Sequence, residues 1–226
     1  MTKTLESIQI LLAGSTYLYR LFQNIFGDTP NKAQLEILTS DTTKEAFEIF
    51  GWEISPVLLK GKYRQTIFAG DAEEEIIDQL TSEYTRLLIG PGKLPAPPWE
   101  SVYRSKESLL FQECTIEVRQ CFLKYNFIPA EYPHVADDHL ALELDFMANL
   151  NSMAERFYAE GNFGQLNRLL DDQKEFLLKH LLVWVPEFTE RIQLSTTSYL
   201  YPDMAILLKE FLEKQVGMIQ EIKDKL

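Results

Sequence analysis

The chain has 226 residues, 46% hydrophobic and 25% charged, which is globular composition with enough apolar mass to build a core without metal or disulfide support. Its net charge of −12 at pH 7 repels nucleic acid and anionic lipid and attracts basic partners, and no basic cluster with interleaved aromatics offsets it. No nucleic-acid partner is expected, and no apolar stretch approaches the ~18 residues that would insert stably in a membrane.

The N-terminal stretch MTKTLESIQILLAGSTYLYRLF superficially resembles a signal peptide. Its apolar residues Leu5, Ile8, Leu12, Tyr19, Phe22 and Phe26 fall at helical spacing, so an amphipathic first helix is predicted instead. GDTPN is a turn that places Pro30 near a new helix start. Two short amphipathic pieces follow, NKAQLEILTS and TTKEAFEIFGWEI, the second with Thr42 or Thr43 as its cap. SPVLLKGKYRQTIFAG is less regular and reads as a further helix. In DAEEEIIDQLTSEYTRLLIG, Asp71 is the N-cap, acids fill the first turn and Gly90 ends the helix. Its apolar face is Ile76, Ile77, Leu80, Tyr84, Leu87 and Leu88.

Residues 90–104, GPGKLPAPPWESVYR, contain Pro91, Pro95, Pro97 and Pro98, which forbid a helix there and disfavour a central strand. A long loop is predicted, and loops of this length are often functional. SKESLLFQECTIEVRQCFLKYNF is the next helix, capped by Ser105 with Glu107 or Ser108 in its first turn. Pro129 and Pro133 break it. The helix that begins in ADDHLALELDF runs to about Glu160 and is stopped by Gly161 and Asn162. FGQLNRLLDDQKEFLLKHLLVWVPEF follows, bent or restarted at Pro186, and a last helix closes the chain. No alternating strand pattern and no repeat is present. The reading is all-α: a single globular helical domain over 1–226, of about nine to eleven helices, with a long proline-rich loop that could act as a hinge at 90–104.

Cys114 and Cys121 lie seven residues apart on one predicted helix, about 10.5 Å in rise, too far for a disulfide. Free thiols fit a reducing cytoplasm.

Asp137, Asp138, His139 and Glu143 at the mouth of one helix allow three readings. An aspartate caps the helix start, where the dipole favours a carboxylate. The acids receive an incoming arginine. Or Asp138, His139 and Glu143 form the metal site of a metal-dependent hydrolase, for which further ligands are scarce: the chain has only His134 and His180 besides, and no HExxH or zinc-spaced cysteine pair. No P-loop, GxSxG or Cys/His arrangement indicates another catalyst.

Three stretches, taken in order, resemble the TorD/DmsD family of redox-enzyme maturation chaperones: YTRLLIGPGKLPAPPWESVY, ADDHLALELDFMANL and FLLKHLLVWVPEF. The resemblance spans roughly residues 80 to 190, and the loop leans toward the dimethyl sulfoxide reductase branch. Ala136 stands where the family usually has proline, with Pro133 three residues upstream, which leaves the helix start less rigid.

The resemblance implies a cytoplasmic chaperone, not an enzyme, needing no cofactor or metal, as a monomer or a segment-swapped dimer. Its partner would be the precursor of a molybdopterin-dependent oxidoreductase, bound through the twin-arginine signal peptide, assisted through cofactor insertion and kept from premature export. Guanine nucleotide has been linked to the family, but no phosphate cradle is visible here. Glu131, Asp137 and Asp138 would receive the arginines, and His139 would orient a carboxylate or bond the peptide backbone. Tyr84, Leu87, Leu88, Pro98, Trp99 and Tyr103 would line an apolar groove or pack in the core. Asp138→Ala is then expected to weaken leader binding without unfolding the chain, and Trp99→Ala to weaken it more.

Overall fold

The computed structural model describes residues 2–52, 73–104, 112–129, 135–195 and 200–226, and the side chains among them from Ser7 onward except Glu73. The helices are α1 (Thr2–Gly27), α2 (Lys32–Leu38), α3 (Asp41–Ile49), α4 (Glu73–Tyr84), α5 (Glu100–Arg104), α6 (Glu113–Lys124), α7 (Leu140–Ala159), α8 (Phe163–Phe176), α9 (Leu182–Ser195) and α10 (Leu200–Lys225). The fold is all-α, and the described residues contain no strand. No helix among them is long and apolar enough to cross a membrane.

α1 buries Ile8, Leu12, Tyr19, Phe22 and Phe26, the face its spacing predicted, and lies along α7. Asn151 of α7 sits in that apolar seam and spends its amide on Leu12 O at 2.6 Å and Thr16 Oγ1 at 2.9 Å, so the buried polar group is satisfied. At the end of α1, a Cβ on Gly27 would stand 2.6 Å from the Cβ of Ala141. Only glycine lets α1 approach the first turn of α7 so closely. α10 closes the core against α9 and α1, with Phe211 edge-on to Tyr19 at 4.7 Å.

Several local expectations change. Ser40 caps α3 rather than Thr42 or Thr43, because Thr43 is buried with its hydroxyl donated to Ile37 O at 2.6 Å. α4 widens into a π-helical turn over Thr85–Ile89 before Gly90, whose φ of 103° ends it and whose N–H closes on Thr85 O at 2.8 Å. The predicted loop ends sooner than expected, since residues 100–104 form α5. A second π-helical turn, Leu177–Leu181, joins α8 to α9, and Pro186 lies inside α9 without ending it. The predicted helix at 55–70 and the caps Asp71 and Ser105 lie outside the described residues.

Candidate functional site

The end of the proline-rich segment is stapled to the start of α7. Glu100 N donates to Asp138 O at 3.0 Å and Leu140 N donates to Pro98 O at 2.9 Å, an antiparallel bridge between Trp99 and His139. The two rings meet edge to face at 5.2 Å. His139 itself caps α7: its Nδ1 accepts from Ala141 N at 3.1 Å. Capping was expected of Asp137 or Asp138, but the helix starts one residue later and the imidazole reaches the free N–H first. Burial pushes the His139 imidazole down to about 4, so it is neutral, as an accepting nitrogen requires.

Asp138 is fully buried. Its Oδ2 accepts from Ser101 N at 2.8 Å in the first turn of α5, and its Oδ1 accepts from Thr115 Oγ1 at 3.0 Å on α6. The carboxylate ties three helices together and does not face solvent. Tyr84, Leu87, Leu88 and Pro98 are buried as well, Tyr84 against Tyr201. Tyr103 packs on Trp184 at 5.2 Å with Arg191 over its ring at 4.4 Å. Tyr84, Leu87, Leu88 and Pro98 thus lie in the interior, and Tyr103 is half-buried against the core. Glu131 lies outside the described residues.

Asp137 is buried too, at 2% exposure, but the partner that covers it is not. Its carboxylate holds the guanidinium of Arg119, with Nη2 at 2.6 Å and Nε at 2.7 Å from Oδ2, and the Arg119 side chain is 48% exposed. Arg119 sits on the outer face of α6 between Ile116, 59% exposed, and Leu123, 64% exposed. Positions 116, 119 and 123 share one face at i, i+3 and i+7. Apolar residues at helical spacing look alike in sequence whether they are buried or, like Ile116 and Leu123, left open.

Beneath α5 lies a second acidic group. Glu100 bonds Arg104 at 2.8 Å and His180 Nδ1 at 3.0 Å. Glu143 is fully buried and accepts from Trp184 Nε1 at 3.3 Å. Burial, together with the charges of Glu100 and Asp138, holds its carboxyl well above the usual range, so it is neutral. Asp138, His139 and Glu143 thus face different neighbours rather than one point. Among the described residues no group of three or more His, Cys, Asp or Glu is placed to hold a metal ion.

The other flank of α6 opens on a groove of about 650 Å³, walled by Glu117, Cys121 and Lys124 of α6, Phe146 and Leu150 of α7, Phe176 of α8, and His180. Met153 and Phe157 continue the α7 stripe into an adjoining pocket of about 450 Å³. The legible signal was the run Phe146, Leu150, Met153 and Phe157, an apolar row in addition to the face α7 turns to α1.

The sequence profile of the nitrate reductase delta subunit family matches residues 59–190, more than half of the chain. The chain belongs to that family. It is similar to chaperone protein TorD of Aliivibrio salmonicida, 32% identical over 142 residues, which is 62% of this chain and 64% of that protein's length. It is also similar to the probable Tat proofreading chaperone DmsD of Haemophilus influenzae, 27% identical over 217 residues, 95% of this chain and 92% of that one. The fold resembles the crystal structure of a putative redox enzyme maturation protein from Archaeoglobus fulgidus, with a TM-score of 0.50 at 20% identity over 88% of this chain and 93% of that one. These relatives place the chain among the TorD/DmsD chaperones.

Proposed function

We propose that this chain is a cytoplasmic chaperone that binds the twin-arginine leader of a redox-enzyme precursor, the catalytic subunit of a molybdopterin oxidoreductase, and holds it until cofactor insertion is complete. The kinship with TorD and DmsD supports the class. The observation that carries the site is the outer flank of α6. There Asp137 already holds one guanidinium, and the exposed Ile116 and Leu123 flank the pair. A leader with two arginines followed by an apolar run requires that combination: a carboxylate for charge-assisted bonds and open apolar surface beside it. His139, two residues from Asp137 in the chain, and Trp99, edge to face with it, are both half-buried and supply an aromatic edge. Asp138, buried together with Tyr84, Leu87, Leu88 and Pro98, and the half-buried Tyr103 support this surface from behind instead of meeting the leader.

The test is calorimetry with a synthetic twin-arginine leader. Asp137→Asn is expected to weaken binding by about 1.5–3 kcal/mol, the range of a hydrogen bond to a charged group. Leu123→Asp is expected to weaken it through lost apolar contact, and a twin-lysine leader to bind the parent less tightly. Parent-like binding by both variants would place the leader elsewhere on the molecule.

A further inference from the structure

Gly27 closes α1 without the backbone conformation that normally calls for glycine at a helix end. Gly51, Gly90, Gly92 and Gly161 have positive φ, but Gly27 does not, so no left-handed turn requires it. What bars a side chain there is space. A Cβ on Gly27 would stand 2.6 Å from the Cβ of Ala141, where carbon atoms rest at about 3.5–4.0 Å. The obstacle is rigid, because a Cβ is fixed to its own backbone and has no rotamer to escape into. With alanine at 27, one of the two helices would have to give way by roughly 1 Å.

α1 has little freedom to do so. Asn151 ties it to α7 further along the seam, through Leu12 O at 2.6 Å and Thr16 Oγ1 at 2.9 Å, so the two helices do not slide. The last turn of α1 is wedged. Phe26 is fully buried, edge-on to Phe188 of α9 at 5.7 Å and against Tyr201 of α10 at 6.5 Å, and Tyr84 Oη donates to its carbonyl at 3.4 Å. The displacement therefore passes to the first turn of α7. Ala141 is the second residue of that helix, and its N–H is the one that His139 Nδ1 caps at 3.1 Å. His139 is held from the other side by the bridge to Trp99, through Glu100 N to Asp138 O and Leu140 N to Pro98 O, so it does not follow Ala141. A shift of about 1 Å carries the capping pair beyond hydrogen-bond range.

We propose that Gly27 is a positioning residue of the leader surface. By letting α1 rest against Ala141, it sets where the first turn of α7 presents His139, and with it the Trp99 edge beside Asp137. The inference rests on the reading of that surface as the leader's site. Gly27 acts through Ala141 and His139, from a helix whose sequence carries no mark of a binding role.

The experiment uses the full chain, Gly27→Ala, and Gly27→Ala combined with Ala141→Gly, which moves the same methyl group from one helix to the other. The His139 imidazole is titrated by NMR without leader, its resonances assigned with His139→Asn, and affinity for the synthetic twin-arginine leader is measured by calorimetry. Gly27→Ala is expected to lift His139 from about 4 to above about 5.5, because an imidazole released from the cap is free to take a proton. Leader affinity should fall about fivefold or more, the loss that marks a significant contact. The double variant should restore both, a rescue that general destabilisation would not show. A folded Gly27→Ala with His139 still near 4 overturns the proposal. So does a moved His139 with leader affinity unchanged, or a double variant that restores neither. Should Gly27→Ala fail to fold, the double variant decides: a folded chain with the parent's His139 titration and leader affinity upholds the proposal, and any other result overturns it. A parent that binds no leader refutes the chaperone reading instead, and the His139 titration, read without leader, still decides whether Gly27 sets that side chain.

Discussion

The start of α7 and the outer face of α6 make opposite use of charge. At α7, the acidic stretch that looks most functional is consumed internally: Asp138 serves Ser101 and Thr115, His139 caps its own helix, and Glu143 is neutral against Trp184. At α6, an unremarkable amphipathic helix leaves Ile116 and Leu123 open around an arginine that Asp137 already holds. A carboxylate in a sequence marks charge, but only its surroundings decide whether that charge is free to meet a partner.

The sharpest way to break this contrast is Asp138→Ala. The substitution removes two hydrogen bonds and strands a buried N–H and hydroxyl, a loss of about 2–4 kcal/mol in urea unfolding. Leader binding should fall only as far as the folded fraction falls. This reverses the expectation drawn from sequence, in which Asp138→Ala spared the fold. A stable variant that has lost leader binding would restore Asp138 as an arginine receptor.

Next come the two histidines, which act on opposite limbs of the stability–pH curve. His180 is raised to about 9 in the folded chain, so its contribution is complete below its unfolded value near 6.5 and is lost as pH climbs through 9. His139 is lowered to about 4, so the unfolded chain takes up its proton first, and stability falls as pH drops from 6.5 toward 4. Each limb is on the order of 2 kcal/mol after allowance for solvent screening. His180→Gln should flatten the alkaline limb. His139→Asn, which keeps an N-cap acceptor, should flatten the acid limb alone. Urea midpoints at half-unit pH steps check both, and a curve unchanged by either variant removes the assigned protonation states.

Glu143→Gln should raise the unfolding midpoint at neutral pH. The parent must protonate this carboxyl in order to bury it, and the amide is neutral already. A fall in the midpoint would mean that Glu143 is buried as an anion.

Most of the helical order was legible, because apolar spacing reports a buried face wherever a helix packs on one side, as in α1. The π-helical turns at Thr85–Ile89 and Leu177–Leu181 were not, since they change pitch without a marker residue. Among the candidate residues, Trp99 and His139 do meet, but through a backbone bridge that no spacing rule anticipates. Leu87 and Leu88 look the same in sequence whether they line a groove or fill a core. Asp137 and Asp138 are neighbours of one chemical type and both are buried, and which of them lies under α5 and which under the exposed Arg119 depends on how α5 and α6 dock.

The smallest effect bears on the open flank. Arg119→Ala takes away the half-exposed guanidinium that covers the Asp137 carboxylate, itself only 3% exposed, and opens that carboxylate to water, so unfolding should shift by only about 1 kcal/mol. Leader binding should strengthen, because an incoming arginine no longer has to displace the guanidinium that occupies Asp137. Opposite signs for stability and affinity separate this from general loosening, which would weaken both. Added salt should narrow the gain, since the incoming arginine approaches Asp137 through water, where Coulomb attraction is screened within about 10 Å at 0.1 M. If Arg119→Ala binds the leader less tightly than the parent, Arg119 contributes to the leader's site as a contact, and Asp137 serves to hold it there.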